Sequence, residues 1–243
     1  MDSQSLPPDY ASSLHAVRDA DPARPFVVAQ LGQSLDGRIA LPSGESRWIN
    51  NEAALTHVHR LRAVVDAVVV GAGTVAADDP QLNVRRVDGR NPARVVIDPT
   101  CRISPAARML EDDGVARIVI CQAKIAGERP ARLPSGVEVL TIDAEGAASI
   151  DPGRIIAALH ARGLRRLLIE GGATTVSAFV AAGLVDRLHM LVAPVLLGSG
   201  KSGLSFGPLA SLSEAPRPVT DVHVLPDGDV LFDLHLKASI GEP

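Results

Sequence analysis

Two glycine-rich turns carry residue types at a spacing suited to phosphate chemistry. The first follows a short apolar run, Ala67 to Val70, and reads Gly71-Ala72-Gly73-Thr74-Val75-Ala76. This is the G-x-G-x-x-A spacing of a dinucleotide turn. Its glycines admit a pyrophosphate close to the backbone, and the helix behind them offers free N–H groups. Pro80 arrives four residues after Ala76. A proline keeps the residue before it out of the helical region, so the helix from Thr74 is held to about one turn. Asp78, Asp79, Leu82 and Arg85 then read as binding surface rather than as a covered crossover. The second turn, Glu170-Gly171-Gly172, closes the apolar run from Arg166 to Ile169 and opens a helix from Ala173 to Ala182. Thr174, Thr175 and Ser177 add hydroxyls beside it. A tight turn needing no ligand is compatible with the same glycines. Glu170 is more telling, because a carboxylate at the end of an inner strand lies where open α/β sheets bind ligands.

A cation joins these turns. Leu55, Val58 and Val65 mark the apolar face of a helix from about Glu52 to Val65, capped by Asn50 or Asn51, and Arg62 falls on that same face. Two readings stand. The arginine either runs its stem along the core edge with its head in water, or it aims a guanidinium at an anion in a cleft. Other chemistries find no support. Gly198-Ser199-Gly200-Lys201-Ser202 lacks the Walker glycine, since Val195 stands five residues before Gly200. His57, His59, His189 and His223 have no metal spacing, and no G-x-S-x-G elbow occurs.

The elements that position these groups alternate strand and helix. Strands are expected at Phe26–Leu31, Ala67–Gly71, Arg94–Asp98, Ala116–Gln122, Val137–Ile142, Arg166–Ile169 and Leu188–Leu197. A helix from about Asp151 to Arg162 has Pro152 in its first turn and Gly163 past its end. A hairpin, Val219–Leu225 and Val230–Leu236, closes the chain across Pro226-Asp227-Gly228-Asp229. The pattern argues a mixed, mostly parallel sheet with helices on both faces and a C-terminal antiparallel hairpin. Residues 1–24 read as a flexible leader with a short helical turn at Ala11 to Arg18, and 25–240 as one domain.

Composition bounds the partners. The 243 residues are 46% hydrophobic with a formal charge of -4, and the arginines are dispersed. With four Phe, one Tyr and one Trp, stacking platforms are few, so nucleic acid is not an expected partner. No run of eighteen apolar residues suggests a membrane span. Cys101 and Cys121 imply neither a disulfide framework nor a metal site. With no signal peptide legible either, a cytoplasmic setting is expected.

Taken together, the pieces resemble the reductase domain of riboflavin biosynthesis, the C-terminal half of a bifunctional deaminase–reductase. The resemblance spans about Phe26 to Leu236. It is carried by Ser34-Leu35-Asp36-Gly37-Arg38, by Arg60-Leu61-Arg62 before Asp66 to Gly71, by Gly73-Thr74-Val75 with Asp78-Asp79-Pro80 and Leu82 to Arg85, and by Glu170-Gly171-Gly172. It implies a dihydrofolate reductase-like, three-layer α/β/α fold, a homodimer, and NADPH-dependent reduction of 5-amino-6-(5-phosphoribosylamino)uracil to its ribityl form. By motif, Ser46, Arg62, Leu82, Arg85 and Glu170 correspond to substrate positions. Trp48, Thr74, Asp78 and the turn Gly171, Gly172, Ala173, Thr174 and Thr175 correspond to cofactor positions. Asp78 and Glu170 are the candidate proton donors, and no metal is implied. A preference for the 2′-phosphate of the cofactor would rest on a basic side chain near Thr100 or Arg102. The pyrophosphate is expected on Gly171-Gly172 rather than on Gly71 and Gly73. The sequence departs from the family pattern in three ways. The deaminase signatures are absent, Gln30 stands where lysine is usual, and Asn83 replaces a threonine. The alternatives are a reductase of a pterin- or folate-like heterocycle and a ligand-binding relative without catalysis.

Overall fold

The structure, a computed structural model, describes residues 10–125, 132–143 and 149–237. The chain runs α1 (Tyr10–Arg18), β1 (Phe26–Ser34), β2 (Arg38–Ala40), α2 (Glu52–Val64), β3 (Ala67–Gly71), α3 (Ala72–Asp78), β4 (Ala93–Ile97) and β5 (Arg117–Gln122). It continues β6 (Val137–Ile142), α4 (Pro152–His160), β7 (Arg166–Glu170), α5 (Ala173–Ala181), β8 (Arg187–Ala193), β9 (Lys201–Ser202), β10 (Val219–Val224) and β11 (Val230–His235). One nine-stranded sheet has the order β10-β11-β8-β1-β7-β3-β4-β5-β6. The strands from β8 to β6 are parallel, and β11 enters antiparallel to both β8 and β10. The sequence implied this architecture.

Its inner strands are apolar because both faces are covered. Successive side chains of β1 divide between two cores. Val27, Ala29 and Leu31 face α4 and α5, where Ile155, Leu159 and Phe179 pack. Phe26 and Val28 face the other layer, with Leu61 and Val65 around α2 and Val75 on α3. The molecule is therefore three layers deep.

Several boundaries differ from expectation, each for a local reason. The strand expected to reach Leu197 ends at Ala193. Pro194 has no N–H to continue the ladder, and the Asp36 carboxylate takes the N–H groups of Leu197 and Gly198 instead. Helix α3 starts two residues before Thr74. It ends where Asp79 turns left-handed (φ 40°) ahead of Pro80. Asn51 is the N-cap of α2, but its side chain makes no cap bond to that helix. It reaches Asp229 and the Asp227 carbonyl, while Asp227 itself accepts the Ala53 N–H at 2.7 Å. The hairpin turn thus caps α2 from across the fold. Residues 10–18 are not a loose leader: α1 buries Tyr10, Ser13 and Val17. Residues 1–9 lie outside the described residues.

Tyr10 begins a buried polar chain. Arg60 donates to the Tyr10 hydroxyl at 3.2 Å, and that hydroxyl shares a hydrogen bond with His57 Nδ1. His57 Nε2 and His189 Nδ1 share a hydrogen bond of 2.9 Å, and His189 Nε2 lies 3.3 Å from Asp233 Oδ1. Arg187 closes the chain with two bonds to Asp233 at 2.8 and 2.6 Å. Burial, helped by the neighbouring His189, holds His57 well below the ordinary histidine value. Burial works to raise Asp233, but His189 and Arg187 outweigh it and hold the carboxyl low. His59, also on α2, is depressed to about 3, chiefly by burial.

A base whose pKa falls on folding binds more protons when unfolded, so stability is complete above pH 6.5 and declines as pH falls. Denaturant unfolding at a series of pH values should show this loss starting below about pH 6.5. His57→Gln should remove part of that slope, leave the part due to His59, and lower stability at neutral pH by about 1–2 kcal/mol.

Candidate active site

The two glycine turns end adjacent parallel strands, β3 and β7, and they interlock. A Cβ at Gly71 would strike the Thr175 hydroxyl of α5. A Cβ at Gly171 would lie 2.8 Å from the Thr74 side chain of α3, and Gly171 is left-handed (φ 96°), where a side chain is strained in any case. Gly172 N–H donates to Thr74 Oγ1 at 2.9 Å. Each helix therefore sets a threonine over the other strand's glycine. Both helices start at the floor of one cavity of about 820 Å³, whose wall also includes Asp78, Ser46, Arg102 and Lys201.

Helix α5 begins at this cavity with Gly172 as N-cap and no side-chain cap on its first N–H groups. A nine-residue helix presents partial positive charge there. Glycine-lined walls, an open helix start and the cavity volume together fit a dinucleotide.

A second cavity of about 240 Å³ opens beside the first, and Gln30 and Gly32 at the end of β1 line both. Its wall holds Arg62, Arg85, Arg86, His59, Glu170 and Trp48. Arg62 is buried, and its fork engages Glu170: Nε donates to Oε2 at 2.9 Å and Nη2 to Oε1. Nη1 donates to the Asn83 carbonyl at 3.0 Å. Arg85 donates from Nη1 to Asn83 Oδ1 at 2.8 Å, and its backbone N–H donates to His59 Nδ1 at 3.1 Å. His59 is thus an acceptor at Nδ1 and carries its proton on Nε2. Burial first, then the charges of Arg62, Arg85 and Arg86, hold it neutral. Arg62 is paired with Glu170 and Arg86 with Glu52, which leaves Arg85 without a carboxylate partner among the described residues and the wall net positive, which suits an anion.

The expected site residues are distributed as follows. Arg62, Arg85 and Glu170 converge on the smaller cavity; Thr74, Asp78, Gly171, Gly172, Ala173, Thr174 and Thr175 converge on the larger. Two residues exchange sides. Trp48, expected at the cofactor, lines the smaller cavity and is 72% exposed; Ser46, expected at the substrate, lines the larger. A turn between them, with Ile49 N–H on the Ser46 carbonyl at 3.1 Å, separates the two. Leu82 lines neither cavity. Its left-handed backbone (φ 57°) turns the side chain into the core, where it is 1% exposed. Arg62 follows neither pure reading, since its charge is held by Glu170 at the cavity wall. His59 was missed as a wall residue. Its position one turn before Arg62 on the same helix was the available signal.

Comparison with known proteins agrees with this geometry. The RibD C-terminal domain family matches residues 25–231. The 2,5-diamino-6-ribosylamino-4(3H)-pyrimidinone 5′-phosphate reductase of Methanothermobacter thermautotrophicus is 39% identical over 72% of this chain and 80% of its own length. The riboflavin biosynthesis protein RibD of Escherichia coli is 35% identical over 79% of this chain, which spans 55% of that protein. A deaminase/5-amino-6-(5-phosphoribosylamino)uracil reductase structure from Thermotoga maritima superposes with a TM-score of 0.74 at 31% identity. It covers 88% of this chain and 57% of its own.

Gly171→Ala should lower stability by about 1–3 kcal/mol through backbone strain and the Thr74 clash. Unfolding curves measure this, and Thr74→Ser in the same chain should recover part of it by removing the crowded methyl. Glu170→Ala leaves the Arg62 charge unpaired and should cost about 1–3 kcal/mol. That is less than a fully enclosed pair would lose, because water can enter the cavity.

Proposed function

The chain belongs to the RibD C-terminal domain family of pyrimidine reductases, with the dihydrofolate reductase-like fold, and from that premise we propose a substrate, a cofactor and a division of labour. The proposed reaction is NADPH-dependent reduction of the ribosyl group of 5-amino-6-(5-phosphoribosylamino)uracil to the ribitylamino product. The observation that carries it is the junction at Gln30 and Gly32. There a glycine-walled dinucleotide cavity opens into a smaller one rich in guanidinium groups.

In this reading the bound reduced nicotinamide supplies a hydride to ribosyl C1 of the open-chain imine, and the imine nitrogen takes a proton. The protein's own share is positioning. Arg85 holds the phosphate by charge-assisted bonds, with Arg86, itself paired with Glu52, and His59 on the same wall. Glu170, fixed by Arg62, accepts hydrogen bonds from the substrate. Holding donor and acceptor at contact distance in a partly desolvated junction accounts for much of such a step. For the proton, both Glu170 oxygens already accept from Arg62, whereas the Asp78 carboxylate has no hydrogen-bond partner among the described residues. Asp78 is therefore the preferred group to relay that proton, taking it from water and passing it to the imine nitrogen. Family resemblance further supports a cytoplasmic homodimer. Among the described residues, no helix is long and apolar enough to cross a membrane.

A second substrate has specific support. The Methanothermobacter relative is named for the 2,5-diamino pyrimidinone, and this chain covers 80% of it. The two pyrimidines differ in carrying oxygen or an amino group on the ring, and the Gln30 amide offers both a donor and an acceptor at the junction.

Purified protein with NADPH and each pyrimidine, followed by loss of the reduced-nicotinamide absorbance, tests the reading. Turnover of either supports the class, and the ratio of kcat/KM names the substrate. Arg85→Ala should raise KM about 10- to 100-fold, and an unchanged KM would sink the phosphate assignment. Asp78→Asn should lower kcat about 100-fold or more with little change in KM.

A further inference from the structure

His59 stands on α2, on the face that carries Arg62 three residues later. Both side chains hold the segment that delivers Arg85. Arg62 Nη1 donates to the Asn83 carbonyl at 3.0 Å, and the Arg85 N–H donates to His59 Nδ1 at 3.1 Å. A third bond, from the Val84 N–H to Asn91 Oδ1 at 2.8 Å, fixes the residue between them. The backbone of Arg85 is therefore set by α2 and by its own loop.

The bond at Nδ1 decides the state of the ring. A ring nitrogen that accepts has no proton, so the neutral imidazole carries its proton on Nε2. No acceptor for that proton occurs among the described residues. The residue is only 3% exposed, and an unmet donor at that depth costs about 1–3 kcal/mol. The Nε2 atoms of His189 and His223 are sealed inside the protein, whereas that of His59 is not. The space it reaches is the smaller cavity, whose wall His59 shares with Arg85 and Arg86.

Charge on that wall limits what the donor can be. Arg62, Arg85, Arg86 and Glu170 are the charged groups that line the cavity with it. Burial first, then the three guanidinium groups, hold the imidazole down to about 3, so it works as a neutral N–H. A further cation here would add to the repulsion among the arginines. A neutral N–H adds a hydrogen bond to an anion without that penalty.

We propose that His59 donates its Nε2 proton to the substrate phosphate held by Arg85, a role that rests on the phosphate reading above and adds the uncharged half of that subsite. Two substitutions separate the ring nitrogens. In His59→Asn the amide oxygen can stand at the Nδ1 position and accept from Arg85, but nothing reaches the Nε2 position. In His59→Gln the amide nitrogen reaches the Nε2 position, and the Nδ1 position is left empty. The readout is kcat/KM for the phosphorylated pyrimidine divided by kcat/KM for its dephosphorylated counterpart, both with NADPH. His59→Asn should lower this ratio about 10- to 100-fold, mainly through KM, while His59→Gln keeps most of it. An unchanged ratio in His59→Asn would overturn the assignment. So would an equal loss in both variants, which would leave His59 as an anchor for the Arg85 backbone alone. Arg85→Ala distinguishes this from the wider reading. If it lowers the ratio and His59→Asn does not, only the role of His59 is wrong; if neither does, the phosphate site itself is misplaced. Ribose 5-phosphate provides a test without turnover. Its binding, followed by nitrogen NMR of the histidine rings, should move the His59 Nε2 resonance, and a resonance that stays fixed at saturation would overturn the proposal.

Discussion

The rest of the site depends on the crossed contact between two strand ends. Gly71 has room only for the Thr175 hydroxyl, and Gly171 only for Thr74. Either contact alone would locate one helix against one strand. Crossed, they fix α3 and α5 relative to each other, so both helices start at the same cavity. The hydrogen bond from Gly172 N–H to Thr74 Oγ1 adds direction to what is otherwise close packing. It also ties off a donor at the start of α5 and leaves the following N–H groups to the cavity.

The cationic wall depends on how α2 is held. Its start is capped by Asp227 from the β10–β11 turn, and its middle is tied through His57 to His189 and Asp233. His59 and Arg62 lie on the opposite side of this helix and face the smaller cavity. A helix carrying two cation-facing residues over an apolar core would otherwise be free to rotate its arginine toward water. The buried hydrogen-bonded chain on one side and the Arg62–Glu170 fork on the other oppose that rotation. The C-terminal hairpin thereby shapes a site that none of its side chains enters.

Much of this was legible in the sequence, and the remainder was lost for identifiable reasons. The strand ends at Gly71 and Glu170, the glycine turns and the helix carrying Arg62 follow from local pattern. So does the convergence of Arg62, Arg85 and Glu170, given the family resemblance. Ser46 and Trp48 line different cavities because one tight turn separates residues that are neighbours in sequence. Leu82 could not be read as core, since a left-handed backbone at leucine is not a local preference. The cap on α2 comes from residue 227, and no scan of the residues around Asn51 could find it. Each miss concerns a contact between distant segments or an unusual backbone angle. Periodicity carries neither.

The junction at Gln30 has a topological origin. From β1 the sheet grows toward β7, β3 and β4 on one side and toward β8 and β11 on the other. Connections leaving in opposite directions open a crevice above the shared strand, and ligands settle there in open α/β sheets. In this chain the crevice is divided. The interlocked turns floor its β7–β3–β4 side, and α2 with the Arg62–Glu170 pair walls the other. Gln30 and Gly32 stand where the two halves meet. Gly32 has no space for a Cβ because the Asn50 amide lies against it, and Asn50 also donates to Asp229 at 3.2 Å. The same hairpin that caps α2 therefore presses on the strand at the junction. A side chain at residue 32 would either displace Asn50 or close the passage between cavities, so the glycine there keeps the two cavities connected.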